Sequence, residues 1–255
     1  MILHLTFDIL SVLTSGLSRT LIGRRTGVAV ATERAGRGSL VRPASIVDGV
    51  HERIYERLMS LEIPPGARLP IDGLARELDV SQTPVREALA RLEREGLVRK
   101  AHLIGYSAAP QLTHKQFDDL YKFRLMVEPE SARQACLNLT PELLHRLELS
   151  AADMEKGEQP VDRNSRYSRF ARADAQFHEE ILKIADNETV RQALTDQHVH
   201  LHIFRLMFHS RVTQEALEEH ERLLEAFRAG DADAAHAAMH DHIARSRDRL
   251  AAAFE

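Results

Sequence analysis

The chain has 255 residues, 44% of them hydrophobic and 28% charged, with a formal net charge of −4. That length fits two ordinary domains, the apolar content excludes global disorder, and the mild acidity excludes a wholly basic, histone-like DNA binder. Aromatics make up 5% with no Trp, which favours helices over a β-sandwich or barrel, and a single cysteine, Cys136, excludes an intramolecular disulfide framework and agrees with a reducing cytoplasm.

The charge is unevenly placed. Residues 1–40 carry five Arg against Asp8 and Glu33, residues 41–110 carry ten basic and ten acidic side chains, and the remainder carries 19 against 26. Eleven of the 14 histidines fall in that acidic remainder. Met1–Leu13 is mostly apolar, but Asp8 interrupts it and no basic residue precedes it, unlike a secretory signal. It is also shorter than the roughly 20 residues a membrane helix needs, and no later segment reaches that length without charges. Residues 1–44 are therefore expected to be a poorly ordered extension, or the product of an upstream start codon, and no membrane partner is expected.

In residues 45–109, Ile46, Val50, Ile54, Leu58 and Leu61 recur at helical spacing behind Ser45, a suitable N-cap. Pro64-Pro65-Gly66 stops that helix. Ile71–Leu78 predicts a second, with Leu74, Ala75 and Leu78 inward. After the turn Asp79–Gln82, Thr83-Pro84 predicts the start of a third, with Thr83 as cap. This helix runs to about Glu95, and Gly96 ends it in the left-handed region. Leu97–Lys100 and Ile104–Ala108 predict two short strands. Helix, helix–turn–helix and hairpin together predict a winged helix-turn-helix, whose third helix enters the major groove. Its solvent face offers Ser81, Gln82, Thr83, Arg86 and Arg91. Arg86 to Lys100 holds five basic and three acidic residues, enough local charge for phosphate contact.

Beyond Leu112 the pattern predicts six helices: Thr113–Leu139, with Pro129 bending it, Pro141–Gly157, Asn164–Ala185, Glu188–Phe208, Val212–Ala229 and a last one from Asp231 to about Phe254. The predicted fold is thus mainly α: the winged helix-turn-helix at 45–109, then an all-α six-helix bundle at 113–254. No P-loop, GxSxG, dinucleotide fingerprint or CxxC occurs. Asp174 and His178 lie i, i+4 on one face with Phe170, Phe177 and Ile181. His220 shares its face with Leu217, Leu224 and Phe227, and His242 follows Ala235 and Met239. One Asp and three His aimed at one core suit a divalent metal, zinc first and nickel or another first-row ion next; hydrogen-bonded core histidines are the other reading. His198 and His202 share a helical face with Arg205 nearby, either lining an effector pocket, with Arg205 as an anion contact, or lying partly exposed. His200 has no assigned role, the pair His236 and His240 reads as solvated, and Cys136 reads as a buried small residue.

Two stretches carry a family resemblance. Pro65-Gly66-Ala67-Arg68-Leu69, Leu74–Val80, and above all Ser81-Gln82-Thr83-Pro84-Val85-Arg86-Glu87-Ala88-Leu89 resemble the DNA-binding domain of the GntR family of bacterial transcriptional regulators. The resemblance implies that Arg68, Thr83, Arg86 and the hairpin glycine Gly105 face DNA. The family usually has Arg where this chain has Gln82; Gln favours adenine and Arg guanine, so an altered operator is expected. Arg124–Pro129, Asp174-Ala175-Gln176-Phe177-His178, Asn187, Glu219–Asp231 and His242 resemble the FCD domain of the FadR branch. This implies that Asp174, His178, His220 and His242 are metal ligands and that Arg124 reaches a carboxylate effector, which suits its fork of donors. The helix count and short link resemble the VanR-like subgroup.

The resulting expectation is a cytoplasmic, homodimeric transcription factor, not an enzyme, binding a palindromic double-stranded DNA operator under control of a small organic acid. A metal-dependent hydrolase of the helical-bundle type is the alternative, since Asp and His ligands can activate water, but it lacks an evident general base and leaves the winged helix unexplained. A ligand-free helical adaptor conflicts with inward-facing His220 and His242.

Overall fold

Ser45 and Asp48 close a capping box at the start of the first helix, α1 (Ile46–Met59): the Ser45 hydroxyl accepts from the Asp48 amide and the Asp48 carboxylate from the Ser45 amide, each at 3.1 Å. The computed structural model describes residues 45–155, 163–206 and 210–254; the predicted extension 1–44 lies outside them. Val50, Ile54, Leu58 and Met59 of α1 are buried. They pack on α3 (Gln82–Arg94), which buries Val85, Ala88, Leu89 and Leu92. The helix α2 (Ile71–Glu77) packs on α3 and adds Leu74 and Ala75 to the same core. One boundary differs from expectation: α3 begins at Gln82 behind Ser81, not behind Thr83. Pro84 then stands third in the helix, still inside the first turn, where its missing N–H has no intrahelical partner to lose.

Gly96, at φ +74, ends α3. The chain then forms β2 (Val98–Ala101) and β3 (Gly105–Ala108), paired antiparallel with Lys100 opposite Tyr106. A two-residue strand, β1 (Arg68–Leu69), adds to the outer side of β3 with Arg68 opposite Ser107, so the sheet order is β1-β3-β2. At two residues, β1 is too short to show alternation, and sequence periodicity missed it.

The C-terminal half is helical throughout its described residues: α4 (His114–Asn138), α5 (Pro141–Glu155), α6 (Arg163–Ile184), α7 (Glu188–Asp196), α8 (Val199–Phe204), α9 (Ser210–Ala229) and α10 (Ala232–Ala251), with a short 3-10 turn at Ala252–Phe254. Thr113 with Gln116, Asn187 and Asp231 cap α4, α7 and α10. The predicted helix 188–208 is broken. His198 takes φ +46, its amide bonds to the Thr195 carbonyl, and α8 restarts behind it. The described residues therefore form seven α-helices here instead of six, and the VanR-like resemblance loses the support of the helix count. Pro129 sits inside an unbroken α4.

The two halves meet through α1 and α6. Tyr55 donates to the Ser168 carbonyl (3.2 Å), the Ser165 hydroxyl to Glu56 (2.5 Å), and Arg172 pairs with Glu52 (2.7 Å) while stacking over the Tyr55 ring.

Candidate functional site

The exposed side of α3 carries the first set of predicted contacts. Ser81, Gln82, Thr83 and Arg86 are all exposed. Ser81 makes no capping bond with its side chain, so its hydroxyl and the first N–H groups of α3 are open to a phosphate. Arg86 donates to Gln82 at 3.1 Å, one helical turn back. Arg68 and Gly105 are exposed on the adjoining sheet. Arg91 is placed differently: it is tied to Asp48 on α1 (2.7 Å) and to Glu87 (2.8 Å). Arg86→Ala is accordingly expected to weaken specific DNA binding by about 1–3 kcal/mol, and Arg91→Ala to change it little, measured as duplex dissociation constants at fixed salt.

The second set converges in the helical half. His178 on α6, His220 on α9 and His242 on α10 are buried, and a ring nitrogen of each lies within 4.8 Å of the others'. Asp174 stands one turn before His178 on α6, with its Oδ1 3.4 Å from His220 Nε2. Two carboxylates orient the rings from behind. His178 Nδ1 donates to Glu128 (2.8 Å) and His242 Nδ1 to Glu219 (2.9 Å). An ionised carboxylate can only accept, so the Nε2 lone pair of each neutral ring is left unprotonated. His178 Nε2 and both ring nitrogens of His220 are buried without a hydrogen-bond partner. Unpartnered buried imidazole nitrogens with outer carboxylates suit a divalent cation.

The electrostatics agree with this geometry. Burial pushes His178, His220 and His242 below the usual imidazole range, toward the neutral form that ligates. Burial alone would raise Asp174 and Glu128. The hydrogen bond and charge of His200 reverse this for Asp174, and Arg124 and His178 reverse it for Glu128, so both carboxyls are held well below their ordinary values.

Arg124 is 1% exposed. It donates to Glu128 at 2.6 Å and lies over the Tyr121 ring. A narrow pocket, with room for about one water-sized group, is lined by Arg124, Asp174, His200, Phe204, His242 and Ser246 among others. The pocket histidine of α8 is therefore His200, whose Nδ1 donates to Asp174 Oδ2 at 2.8 Å. The structure does not bring His198, His202 and Arg205 to it. They lie on the other side of α8, toward the winged helix. A Cβ added at Gly96 would stand 2.2 Å from the His198 ring, and Arg205 donates to the Ala109 carbonyl at 2.8 Å while its own carbonyl accepts from Gln111. The break at His198 resets the helical phase, which turns His200 inward. No single-helix periodicity could show that.

Arg205 is 0% exposed, forms no ion pair among the described residues, and keeps Nε and Nη1 unpartnered; burial pulls it down to about 10. His202 is pushed down to about 4 by burial first, then by Arg205, His198 and Arg99. An unfolded histidine titrates near 6.5, so the fold resists protonation of His202. Its full stability is present above about pH 6.5 and falls as the pH drops from there toward 4. His202→Gln should reduce that slope by about one proton, read from urea unfolding between pH 7 and pH 4.

Comparison with known proteins follows the same division. The family model for bacterial regulatory proteins of the gntR family matches residues 46–106, and that for the FCD domain matches residues 119–245. YdhC of Bacillus subtilis, an HTH-type transcriptional regulator, is 25% identical over 72% of this chain and 82% of its own. The HTH-type transcriptional repressor NanR of Escherichia coli is 28% identical over 82% and 86%. The structure of McbR/YncC from E. coli superposes with a TM-score of 0.59 at 21% identity, over 84% of this chain and all of that one.

The chain belongs to the GntR family.

It is a transcriptional regulator of the FadR branch, with a winged helix-turn-helix followed by a helical FCD domain. GntR regulators are not enzymes, which sets the hydrolase reading aside. No helix among the described residues is long and apolar enough to cross a membrane. Sequence reasoning about this FCD domain missed Glu128, Glu219 and His200. Glu128 had a signal: it stands four residues after Arg124, in position to face it along one helix.

Proposed function

We propose that this GntR regulator binds its operator with an affinity set by a small carboxylate metabolite, held beside a divalent metal in the FCD domain. The observation carrying the proposal is the buried imidazole set, steadied by Glu128 and Glu219 and left with unpartnered inner nitrogens, next to the buried Arg124. Asp174, His178, His220 and His242 are the ligand set, with zinc as the metal this donor chemistry favours. A bound cation would supply positive charge against which a carboxylate is held. Arg124 orients that carboxylate, and His200 supplies a further donor from α8. Residues 45–109 are the DNA-reading module and 113–254 the sensing module. The protein acts as a cytoplasmic homodimer on a palindromic operator.

Control of DNA binding runs through α8. One side carries His200 on Asp174, and the other carries His198 against Gly96 and Arg205 on the Ala109 carbonyl. A change in what Asp174 and His200 hold reaches the winged helix across this six-residue helix and its two capping residues, His198 and Arg205. An effector preferring one arrangement by about 1–3 kcal/mol changes operator affinity 5–150-fold. The test is a thermal-shift screen of sugar acids and other carboxylates with and without chelator, followed by duplex binding. Stabilisation that requires metal and alters DNA affinity is expected. Carboxylate responses indifferent to chelator and to Arg124→Met would overturn the reading.

A further inference from the structure

The hairpin β2–β3 ends in Leu103 and Ile104, which are 94% and 62% exposed. A single exposed leucine needs no explanation. Three further features set this pair apart. First, Leu103 has φ +63 in a turn closed by a 3.2 Å bond from the Ile104 amide to the Ala101 carbonyl. That turn position ordinarily takes Gly or Asn, because a Cβ is sterically opposed there. The chain keeps a large apolar side chain where the backbone disfavours one and the core gains nothing. Second, Arg99, Lys100 and His102 precede the pair on the same hairpin, all exposed, and no Asp or Glu occurs between Glu95 and Asp118. Third, Arg68 is exposed on β1 of the same sheet. A strained apolar tip on an acid-free basic hairpin, next to the helix that reads DNA, complements a polyanion that has an apolar interior to offer.

We infer that Leu103 and Ile104 form an apolar wedge that enters the minor groove of duplex DNA beside the bases read by α3. The stacked interior of a duplex is an apolar surface behind a wall of phosphates, and the hairpin follows directly on α3, the helix of the DNA-binding domain that reads the bases. Apolar side chains inserted from the minor groove partly unstack a base step and bend the duplex. The steps that yield most easily are TA and CA/TG. The wing therefore reads deformability at a position flanking the major-groove contacts, and Arg99 and Lys100 hold the phosphates on either side. The inference rests on DNA binding alone and is independent of the metal and effector assignments.

The test is selection from a random-sequence duplex library with the full chain and with Leu103→Gly/Ile104→Ser. Glycine adopts the positive φ without strain, so the variant should melt at the same temperature as wild type or higher. Wild type should enrich TA or CA/TG at a fixed offset from the α3-read bases, and the variant should lose that enrichment. On the wild-type-selected duplex the variant should bind about tenfold more weakly and bend the DNA less by end-to-end fluorescence transfer. Its slope of log affinity against log salt should be unchanged, because no phosphate contact is lost, whereas Lys100→Ala should lower the slope by about one and keep the flank preference. A variant that retains the enrichment and the bend overturns the inference, as does one that weakens equally on every flank. Unchanged DNA selection with an altered oligomeric state would assign the pair to a protein contact and overturn it as well.

Discussion

His220→Leu is expected to make the metal-free protein more stable while abolishing its response to Zn²⁺. His220 is 1% exposed, and neither ring nitrogen has a hydrogen-bond partner. A buried polar group left unsatisfied costs about 1–3 kcal/mol. Leucine approximates the volume, contacts the neighbouring Phe177 ring, and removes that penalty, so the midpoint of thermal unfolding should rise by several degrees. In wild type, Zn²⁺ at a thousandfold excess over its dissociation constant should add about 4 kcal/mol. The variant should gain almost none of this, and its DNA affinity should no longer depend on metal. Calorimetry with and without chelator distinguishes the outcomes. A destabilised variant that still responds to Zn²⁺ would mean that His220 is a packed core residue and not a ligand. The opposite signs matter, because an ordinary core histidine loses stability on substitution.

Glu128→Ala is expected to cost about 3–5 kcal/mol, the penalty for leaving a buried charge without its partner. Glu128 joins two systems: Arg124 at 2.6 Å and His178 at 2.8 Å, all three buried. Replacing both members of the ion pair, as Arg124→Met/Glu128→Leu, should recover most of that loss, since a buried pair exchanged for apolar side chains of similar volume is often neutral. Metal affinity should not recover with it. Without a carboxylate behind Nδ1 the orientation and tautomer of His178 are no longer fixed, and affinity should fall about 10–100-fold in both variants. Urea unfolding and metal titration on the three proteins separate the effects. If the double variant binds metal as tightly as wild type, the orienting role of Glu128 is wrong.

Much of this was legible in the amino-acid order. Ser45, the turn before α3 and Gly96 punctuate the winged helix because local sterics and capping act over a few residues. The i, i+4 relation of Asp174 and His178 follows from helix geometry alone. His220 and His242 were legible as inward because their apolar neighbours share their faces. Arg91 was not legible: its exposure pattern matches that of Arg86, and only the packing of α1 against α3 brings Asp48 to it.

The division falls along the range of the forces involved. Composition, periodicity and motif by themselves determined the winged helix, the helical second half and the placing of one Asp and three His on inner faces, because each depends on neighbours within about one helical turn. Tertiary structure alone decided which carboxylates stand behind the rings, that His200 and not His198 or His202 reaches Asp174, and that Arg205 is buried beside Ala109. Those pairings join residues 26 to 96 positions apart, or nearer ones on separate helices, and a single left-handed residue at position 198 rotates everything after it. A one-dimensional pattern has no register for a rotation of that kind; the packed core does.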